Sequence, residues 1–250
     1  HMPLLRNPDK SKLSKRKNPT SIHFYQRMGF MPEAVMNYLG RMGWSMPDER
    51  EKFTLDEMVA EFDIQRVSLG GPVFDVEKLR WLNGQWLREL SPEAFIQQYQ
   101  AWGLSREFFE GVIKDIQSRS EVFSDVVNVA GFLLDGLPAI QPEQFDGLKL
   151  ESDDLKAQLQ RLVWRFETLS AWEKDEIFAC CKQLSEELEL KIRDFLAPVF
   201  IAISGKSASI SVMDAMVILG SDMTRARLSH AIQVLGGISK KQMKKLEKLK

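Results

Sequence analysis

The chain has 250 residues, of which 44% are apolar and 28% charged, and six of them are tryptophan. This composition can supply a sizeable core and excludes an intrinsically disordered chain, which would have few large apolar residues and a high net charge. The longest dense apolar run, residues 195–203, contains Pro198 and is about half as long as the roughly 20 residues of a membrane span. The sequence therefore predicts a folded protein with no membrane-spanning segment.

The near-zero net charge of −1 conceals an uneven distribution. Residues 1–17 carry a net charge of +5 and residues 239–250 carry another +5, which leaves −11 on the residues between them. The sequence predicts an acidic body with two basic ends, so any contact with a polyanion is expected to be local.

Cysteine and histidine are scarce. Cys180 and Cys181 are adjacent in sequence, and the three histidines lie far apart. Neither a disulfide framework nor a four-ligand zinc site is expected, and no metal site is predicted. No secretory signal is recognisable, and a reducing, cytoplasmic setting fits best.

Helix signals recur along almost the whole chain. Five helix starts are expected from capping residues and prolines. In chain order they are Pro32, Thr54 with Glu57, Ser91 with Pro92, Ser105, and Ser170 with Glu173. The helix that begins at Ser105 is expected to continue through Ile116, because its apolar residues keep helical spacing. Two further apolar stripes are Leu155, Leu159, Leu162, Val163 and Phe166, and Ile177, Cys180, Cys181, Leu184 and Leu188.

Strand alternation is scarce and no long βαβ pattern is present, so the fold class is expected to be mainly α, without a doubly wound nucleotide-binding sheet. Glycine and proline clusters at residues 70–72, 90–92 and 136–152 mark breaks, with boundaries near 90 and 150. The tryptophans are expected in the core, since each lies near an apolar stripe.

One short motif carries chemistry. The run from Lys12 to Arg16, KLSKR, places two lysines three residues apart with a hydroxyl between them. Such a loop can direct ammonium groups and a hydroxyl donor at phosphate oxygens. Taken alone, the same run is also typical of a solvated basic tail.

The KLSKR run resembles the KMSKS signature of class I aminoacyl-tRNA synthetases, in the form typical of glutamyl-tRNA synthetases. Residues 18–45 and 53–87 are similar to the segments that follow this signature in bacterial members. The resemblance covers essentially the whole chain, strongly through Leu87 and more loosely beyond it.

The resemblance implies a ligase that activates glutamate with ATP, with Mg²⁺ expected, and transfers it to tRNA(Glu). Lys15 would be the catalytic lysine, since a cation on the loop can stabilise the charge that builds on the departing pyrophosphate. In the ATP-binding loop, Lys12 and Ser14 would bind the phosphates of ATP or stabilise the closed conformation of the loop. Leu13 would anchor the backbone of the loop. Arg16 replaces the final serine of the signature.

The signature lies close to the start of the chain, so the upstream parts of the family's catalytic domain are not in this sequence. The resemblance therefore implies a C-terminal, tRNA-binding portion, monomeric, which neither binds ATP and glutamate nor catalyses alone. Its expected parts are the end of the catalytic domain at residues 1–17, a helical stem-contact domain at 18–90, and two helical anticodon-binding domains at 91–147 and 148–250.

Arg119 aligns with a family arginine that reads the tRNA anticodon, and a guanidinium there can contact a base edge, stack or clamp a phosphate. Arg225 and Arg227 are candidates for RNA contact, although helix-surface arginines more often face water. A glutaminyl enzyme is disfavoured, because its anticodon region would be rich in strands. The alternative function is a free-standing helical module, derived from a synthetase, that binds RNA or another protein.

Overall fold

The computed structural model of the protein describes residues 4–13, 20–206 and 210–248. Within these ranges the fold is mainly helical, as the sequence predicts, and extended pairing is limited to two isolated bridges, from Arg6 to Lys12 and to Val73. The chain divides into a first unit, residues 1–102, and a second unit, residues 103–250.

The first unit contains helices α1 to α4 and all but the last residue of α5. Their bounds are Ile22–Arg27, Pro32–Gly40, Leu55–Glu61, Val76–Glu89 and Pro92–Gly103. Three sequence-predicted starts are confirmed. Pro32 is the first residue of α2, Thr54 and Glu57 form the capping box of α3, and the Ser91 hydroxyl accepts the N–H of Ala94 at 3.2 Å at the start of α5.

Aromatic rings form the centre of the first unit. The buried Tyr25 contacts Phe24, Phe30 and Phe74 edge to face, with ring centroids 5.2, 5.6 and 6.0 Å apart. Burial raises the pKa of Tyr25 to about 12, so the ring stays neutral. These edge-to-face contacts hold the segment around Phe74 against α1.

The hydroxyl of Tyr38 connects α2 to the start of α4. It donates to the backbone oxygen of Asp75 at 2.9 Å and accepts the Asp75 N–H at 2.7 Å. The Asp75 carboxylate then caps α4 by accepting the N–H groups of Glu77 and Lys78 at 2.9 and 3.2 Å. One tyrosine thereby fixes the point at which the helix begins.

The second unit contains helices α6 to α13. Their bounds are Arg106–Phe109, Ile113–Ser118, Asp125–Ala130, Ser152–Thr168, Lys174–Glu187, Ile192–Ser204, Val212–Val234 and Lys240–Glu247. Helix α12 is broken at Gly220, whose φ of 78° is left-handed. The apolar run that contains Pro198 lies within α11, and among the described residues no helix is long and apolar enough to cross a membrane.

The prediction of one continuous helix from Ser105 to Ile116 is wrong, because the structure has two short helices there. Ser105 caps α6 as expected, accepting the N–H of Phe108 at 3.3 Å, but α6 ends after one turn and α7 begins only at Ile113. Gly111 lies in the interruption, where its low helix propensity favours a break. Arg119 therefore follows a short helix rather than a long one.

The predicted capping box of Ser170 with Glu173 is also wrong. Helix α10 begins at Lys174, and no side chain caps its start. The indole of Trp172 donates to the backbone oxygen of Met216 at 2.8 Å and packs edge to face on Phe166. These tertiary contacts fix Trp172, next to Glu173, whose backbone is extended, and they override the local capping signal.

The apolar stripes of α9 and α10 form the core of the second unit, as the sequence predicts. Fully or almost fully buried are Leu155, Leu159, Leu162, Val163, Phe166, Ile177, Cys180, Cys181 and Leu184. Both cysteines are free thiols, and burial raises the pKa of each. They are core residues and not nucleophiles.

Arg227 is fully buried in α12, with 0% of its surface exposed. Its guanidinium donates to three backbone oxygens: that of Gly136 at 2.6 Å, of Phe132 at 2.8 Å and of Ile203 at 2.5 Å. The fork of five N–H donors suits this task, since one residue satisfies three carbonyls from two segments, the stretch after α8 and the end of α11. We call this set of contacts the Arg227 clamp.

Replacement of Arg227 by lysine is expected to lower the free energy of unfolding by about 3 kcal/mol, because an ammonium cannot reach all three oxygens and the buried carbonyls lose their donors. The measurement is urea denaturation followed by circular dichroism. The matched control is Arg225→Lys on the same helix, at a partly exposed ion pair with Asp222, for which a loss below about 1 kcal/mol is expected. Equal losses in the two variants would contradict the clamp.

Candidate nucleic-acid interface

The structure places the first two residues of the KLSKR run, Lys12 and Leu13, in the first unit. Ser14, Lys15 and Arg16 lie outside the described residues. Lys12 pairs through its backbone with Arg6 and exposes its side chain, and the Leu13 N–H donates to the backbone oxygen of Leu5 at 2.9 Å.

The turn that leads into this run is held by the buried side chain of Asn7. Its amide group donates to the Ser11 hydroxyl at 2.9 Å and to the Lys12 backbone oxygen at 3.2 Å. The carboxylate of Asp9 accepts the N–H of Ser11 at 2.9 Å. Asn and Asp favour such turns because their short side chains bond to nearby backbone. Residues 7–12 therefore fix the point at which the run begins.

The same segment lies against residues 71–74. The Arg6 N–H donates to the Pro72 oxygen at 2.9 Å, and the Phe74 N–H donates to the Arg6 oxygen at 2.8 Å. A Cβ atom added to Gly71 would lie 2.9 Å from the backbone oxygen of Leu4 and 2.6 Å from Nε of Arg6. The sequence predicts a break at residues 70–72, and here Gly71 allows the neighbouring backbone to approach more closely than any residue with a Cβ atom would permit.

Arg119 lies in the second unit, directly after α7. Its N–H closes the helix by donating to the Ile116 oxygen at 3.1 Å, and its side chain is exposed. Over the described parts of the chain, no residue forms an ion pair or hydrogen bond with its guanidinium. The next residue is also held to the helix, since the Ser120 hydroxyl donates to the Ile116 oxygen at 2.8 Å. The guanidinium is therefore presented to solvent from an ordered backbone.

The turn after Arg119 is closed by Asp125, the first residue of α8. Its carboxylate accepts the N–H groups of Val122 at 3.1 Å and Glu121 at 2.9 Å, and these two bonds lower its pKa. We call residues 119–124 the α7–α8 turn. An ionised carboxylate at a helix N-terminus is favourable, so this turn is stable near neutral pH.

Two known protein families match this chain, one over the stretch that includes Arg119 and one over the stretch that includes the KLSKR run. An anticodon binding domain family model matches residues 84–232, which include Arg119. A model of the catalytic domain of class I tRNA synthetases (E and Q) matches residues 1–81, which include the KLSKR run. The chain belongs to the family of class I tRNA synthetases that carry an anticodon binding domain.

Curated relatives agree with this family. The chain is 63% identical over 249 residues to a glutamate–tRNA ligase of Marinomonas sp. (strain MWYL1), an alignment that covers 99% of this chain and 50% of the relative. It is 60% identical over 248 residues to one of Alcanivorax borkumensis, with 99% and 50% covered. A solved glutamate tRNA ligase from Elizabethkingia meningosepticum superposes with a TM-score of 0.49 and 25% identity, covering 94% of this chain and 51% of that chain. The chain spans about half the length of the curated relatives it matches.

Two of the arginines considered for RNA contact in this synthetase chain are engaged within the protein. Arg225 forms an ion pair with Asp222 at 2.5 Å and lies 3.7 Å from Glu167. Arg227 is buried in its clamp, so the expectation that it lies on the helix surface is wrong. The physical reason is that three backbone carbonyls compensate the guanidinium for its lost hydration.

The tryptophans divide between core and surface. Trp44 and Trp164 are buried, as predicted. Trp86, Trp102 and Trp172 are half-buried, and each uses its indole N–H in a hydrogen bond. For Trp81 the core prediction is wrong, since 45% of its surface is exposed and the Lys78 ammonium lies 4.7 Å from its ring centroid.

Residues 240–247 of the basic C-terminal run form α13, which is capped by Ser239 and Gln242. The Gln242 amide donates to the Asp153 carboxylate at 2.8 Å, which joins α13 to α9. Its exposed lysines are Lys240, Lys241, Lys244, Lys245 and Lys248. In the described ranges no group of three or more histidine, cysteine, aspartate or glutamate residues could hold a metal ion.

Replacement of Gly71 by alanine is expected to displace the segment that leads into the KLSKR run, because the new Cβ would overlap the Leu4 backbone. The exchange protection of the Arg6 and Phe74 amides should fall about tenfold or more, given the usual strain of overpacking. Hydrogen exchange measured by NMR tests this expectation. Gly70→Ala is the matched control, since its nearest contact would be 3.4 Å, to the Ser68 hydroxyl. Unchanged protection in Gly71→Ala would contradict the close approach.

Proposed function

We propose that this chain is the tRNA-binding portion of a glutamate–tRNA ligase, the enzyme that activates glutamate with ATP and transfers it to tRNA(Glu). The observation that carries the proposal is the exposed guanidinium of Arg119, free of partners among the described residues, within the stretch that matches the anticodon-binding model. Single-stranded loops are read by arginine and aromatic side chains that contact splayed bases. Arg119 is the proposed anticodon reader.

The KLSKR run is the proposed ATP-binding loop. Lys15 would stabilise the charge that develops on pyrophosphate when the glutamate carboxylate attacks the α-phosphate of ATP. Lys12 and Ser14 would contact phosphates or hold the loop closed, Leu13 would anchor its backbone, and Arg16 would complete the loop in place of the signature's final serine. The match of residues 1–81 to the catalytic-domain model favours this assignment over a free-standing binding module.

The proposal divides the chain into the parts expected from the resemblance: residues 1–17, 18–90, 91–147 and 148–250. The first is the end of the catalytic domain, the second contacts the tRNA stem, and the last two approach the anticodon. The protein would act as a monomer in the cytoplasm. Mg²⁺, where required, would accompany ATP in the complete enzyme.

A binding titration against three RNAs tests the proposal that this chain binds tRNA(Glu). The chain is titrated with tRNA(Glu), with tRNA(Glu) carrying a substituted anticodon, and with a non-cognate tRNA, each at two salt concentrations. We expect tRNA(Glu) to bind best and Arg119→Ala to weaken that binding about tenfold, as for loss of one base-reading arginine. The same variant should bind the three RNAs almost equally.

Arg106→Ala is the matched control, since Arg106 is another exposed arginine of the second unit. It removes the same charge, so it should lower the affinity for all three RNAs slightly and preserve the preference. Equal, weak and salt-sensitive binding of all three RNAs to the unaltered chain would contradict anticodon recognition. It would leave only the basic ends as RNA contacts.

Glutamate activation is proposed to belong to the longer protein, because the curated relatives are about twice as long as this chain. The 250 residues alone should show no glutamate-dependent exchange of pyrophosphate into ATP. The positive control is a full-length glutamate–tRNA ligase under the same conditions. Measurable exchange by the chain alone would overturn this part of the proposal.

A further inference from the structure

Phe123 is the most exposed large apolar side chain in the described part of the protein, with 96% of its surface accessible. It lies in the α7–α8 turn. Val122 and Val127, on either side of it in sequence, are 60% and 70% exposed. An exposed ring with two exposed neighbours is unfavourable in water unless a partner covers it.

The exposure of this ring is not the result of a loose backbone. The Asp125 carboxylate holds the Val122 N–H, and the Val126 N–H donates to the Phe123 oxygen at 3.2 Å. Helix α8 is held in turn, because the Lys206 ammonium donates to the Asn128 oxygen at 2.5 Å. Phe123 is thus presented to solvent from a turn that is fixed on both sides.

Arg119 precedes Phe123 by four residues in the same turn, and its guanidinium is also exposed. An aromatic face and a guanidinium are the two groups that proteins use to bind unpaired bases: the ring stacks on the base, and the guanidinium contacts a base edge or a phosphate. Ser120 and Ser124, whose side chains are small, lie in the same turn. The turn therefore combines stacking with hydrogen bonding.

We propose that Phe123 is a stacking platform for one unpaired base of the tRNA anticodon loop, next to the contact made by Arg119. This inference rests on the proposed tRNA-binding function and adds a specific residue to it. Stacking on Phe123 would contribute affinity with little sequence preference, since every base has a π-face. Arg119 would supply the preference.

The test uses three substitutions at position 123. Phe123→Ala removes the ring, Phe123→Leu keeps apolar surface without a π-face, and Phe123→Trp keeps an aromatic face. The probe is the anticodon stem-loop of tRNA(Glu), carrying 2-aminopurine at one loop position at a time. Anisotropy gives the affinity, and quenching of 2-aminopurine reports stacking on the protein. Phe178→Ala is the matched control, because Phe178 is a 42% exposed phenylalanine of the same unit.

We expect Phe123→Ala and Phe123→Leu each to weaken binding about tenfold and to abolish the quenching at one loop position, as for loss of one stacked base. Phe123→Trp should retain both. The dependence of affinity on salt should be unchanged in all three, because no charge is lost. Phe178→Ala should bind like the unaltered chain, and circular dichroism checks that each variant is folded.

Two results overturn the proposal in different ways. If the unaltered chain binds the stem-loop in an Arg119-dependent manner but Phe123→Ala binds equally well, the stacking proposal is wrong and the tRNA-binding function stands. If the unaltered chain does not bind the stem-loop, the function itself fails and the inference with it. Sedimentation that shows a dimer lost in Phe123→Ala, with RNA binding unchanged, identifies the exposed ring as a protein contact and also contradicts stacking.

Discussion

The second unit depends on one buried cation. The Arg227 clamp satisfies backbone oxygens of Phe132 and Gly136, which follow α8, and of Ile203, near the end of α11. A guanidinium removed from water is unfavourable unless its N–H groups find acceptors, and here the acceptors come from separate segments. The clamp therefore joins the loop after α8 to the core helices. Since α8 closes the α7–α8 turn through Asp125, the position of the proposed RNA contact is set by packing deeper in the unit.

A comparable constraint fixes the segment before the KLSKR run in the first unit. Its backbone pairs with residues 72–74, and Gly71 permits the close approach. Phe74 packs on the buried tyrosines of the core, and Asp75 is held by the Tyr38 hydroxyl. The loop proposed to contact ATP thus follows a backbone that is anchored to the core. In both units hydrogen bonds fix the backbone beside a proposed functional segment.

Local signals account for what the sequence predicts correctly. The capping box of Thr54 and the apolar stripes of α9 and α10 depend on residues within one helix, and the KLSKR run is a contiguous motif. The Arg227 clamp is different, because its acceptors are backbone oxygens up to 95 residues away and leave no mark in the pattern of side chains. The predicted start of α10 at Ser170 is wrong for a similar reason, since the hydrogen bond from Trp172 to Met216 overrides the local capping signal of Ser170 and Glu173. The exposure of Phe123 could not be predicted either, because the residue lies in a turn, where no apolar periodicity indicates which side chains are buried.

The proposed tRNA contact places the α7–α8 turn against the anticodon loop, with Arg119 as its reader. A crystal structure of the chain bound to the anticodon stem-loop of tRNA(Glu) tests this contact. We expect a splayed anticodon-loop base within hydrogen-bonding distance of the Arg119 guanidinium. A complex in which the stem-loop contacts only the lysines of α13 or the basic N-terminal segment, with Arg119 facing solvent, would contradict it.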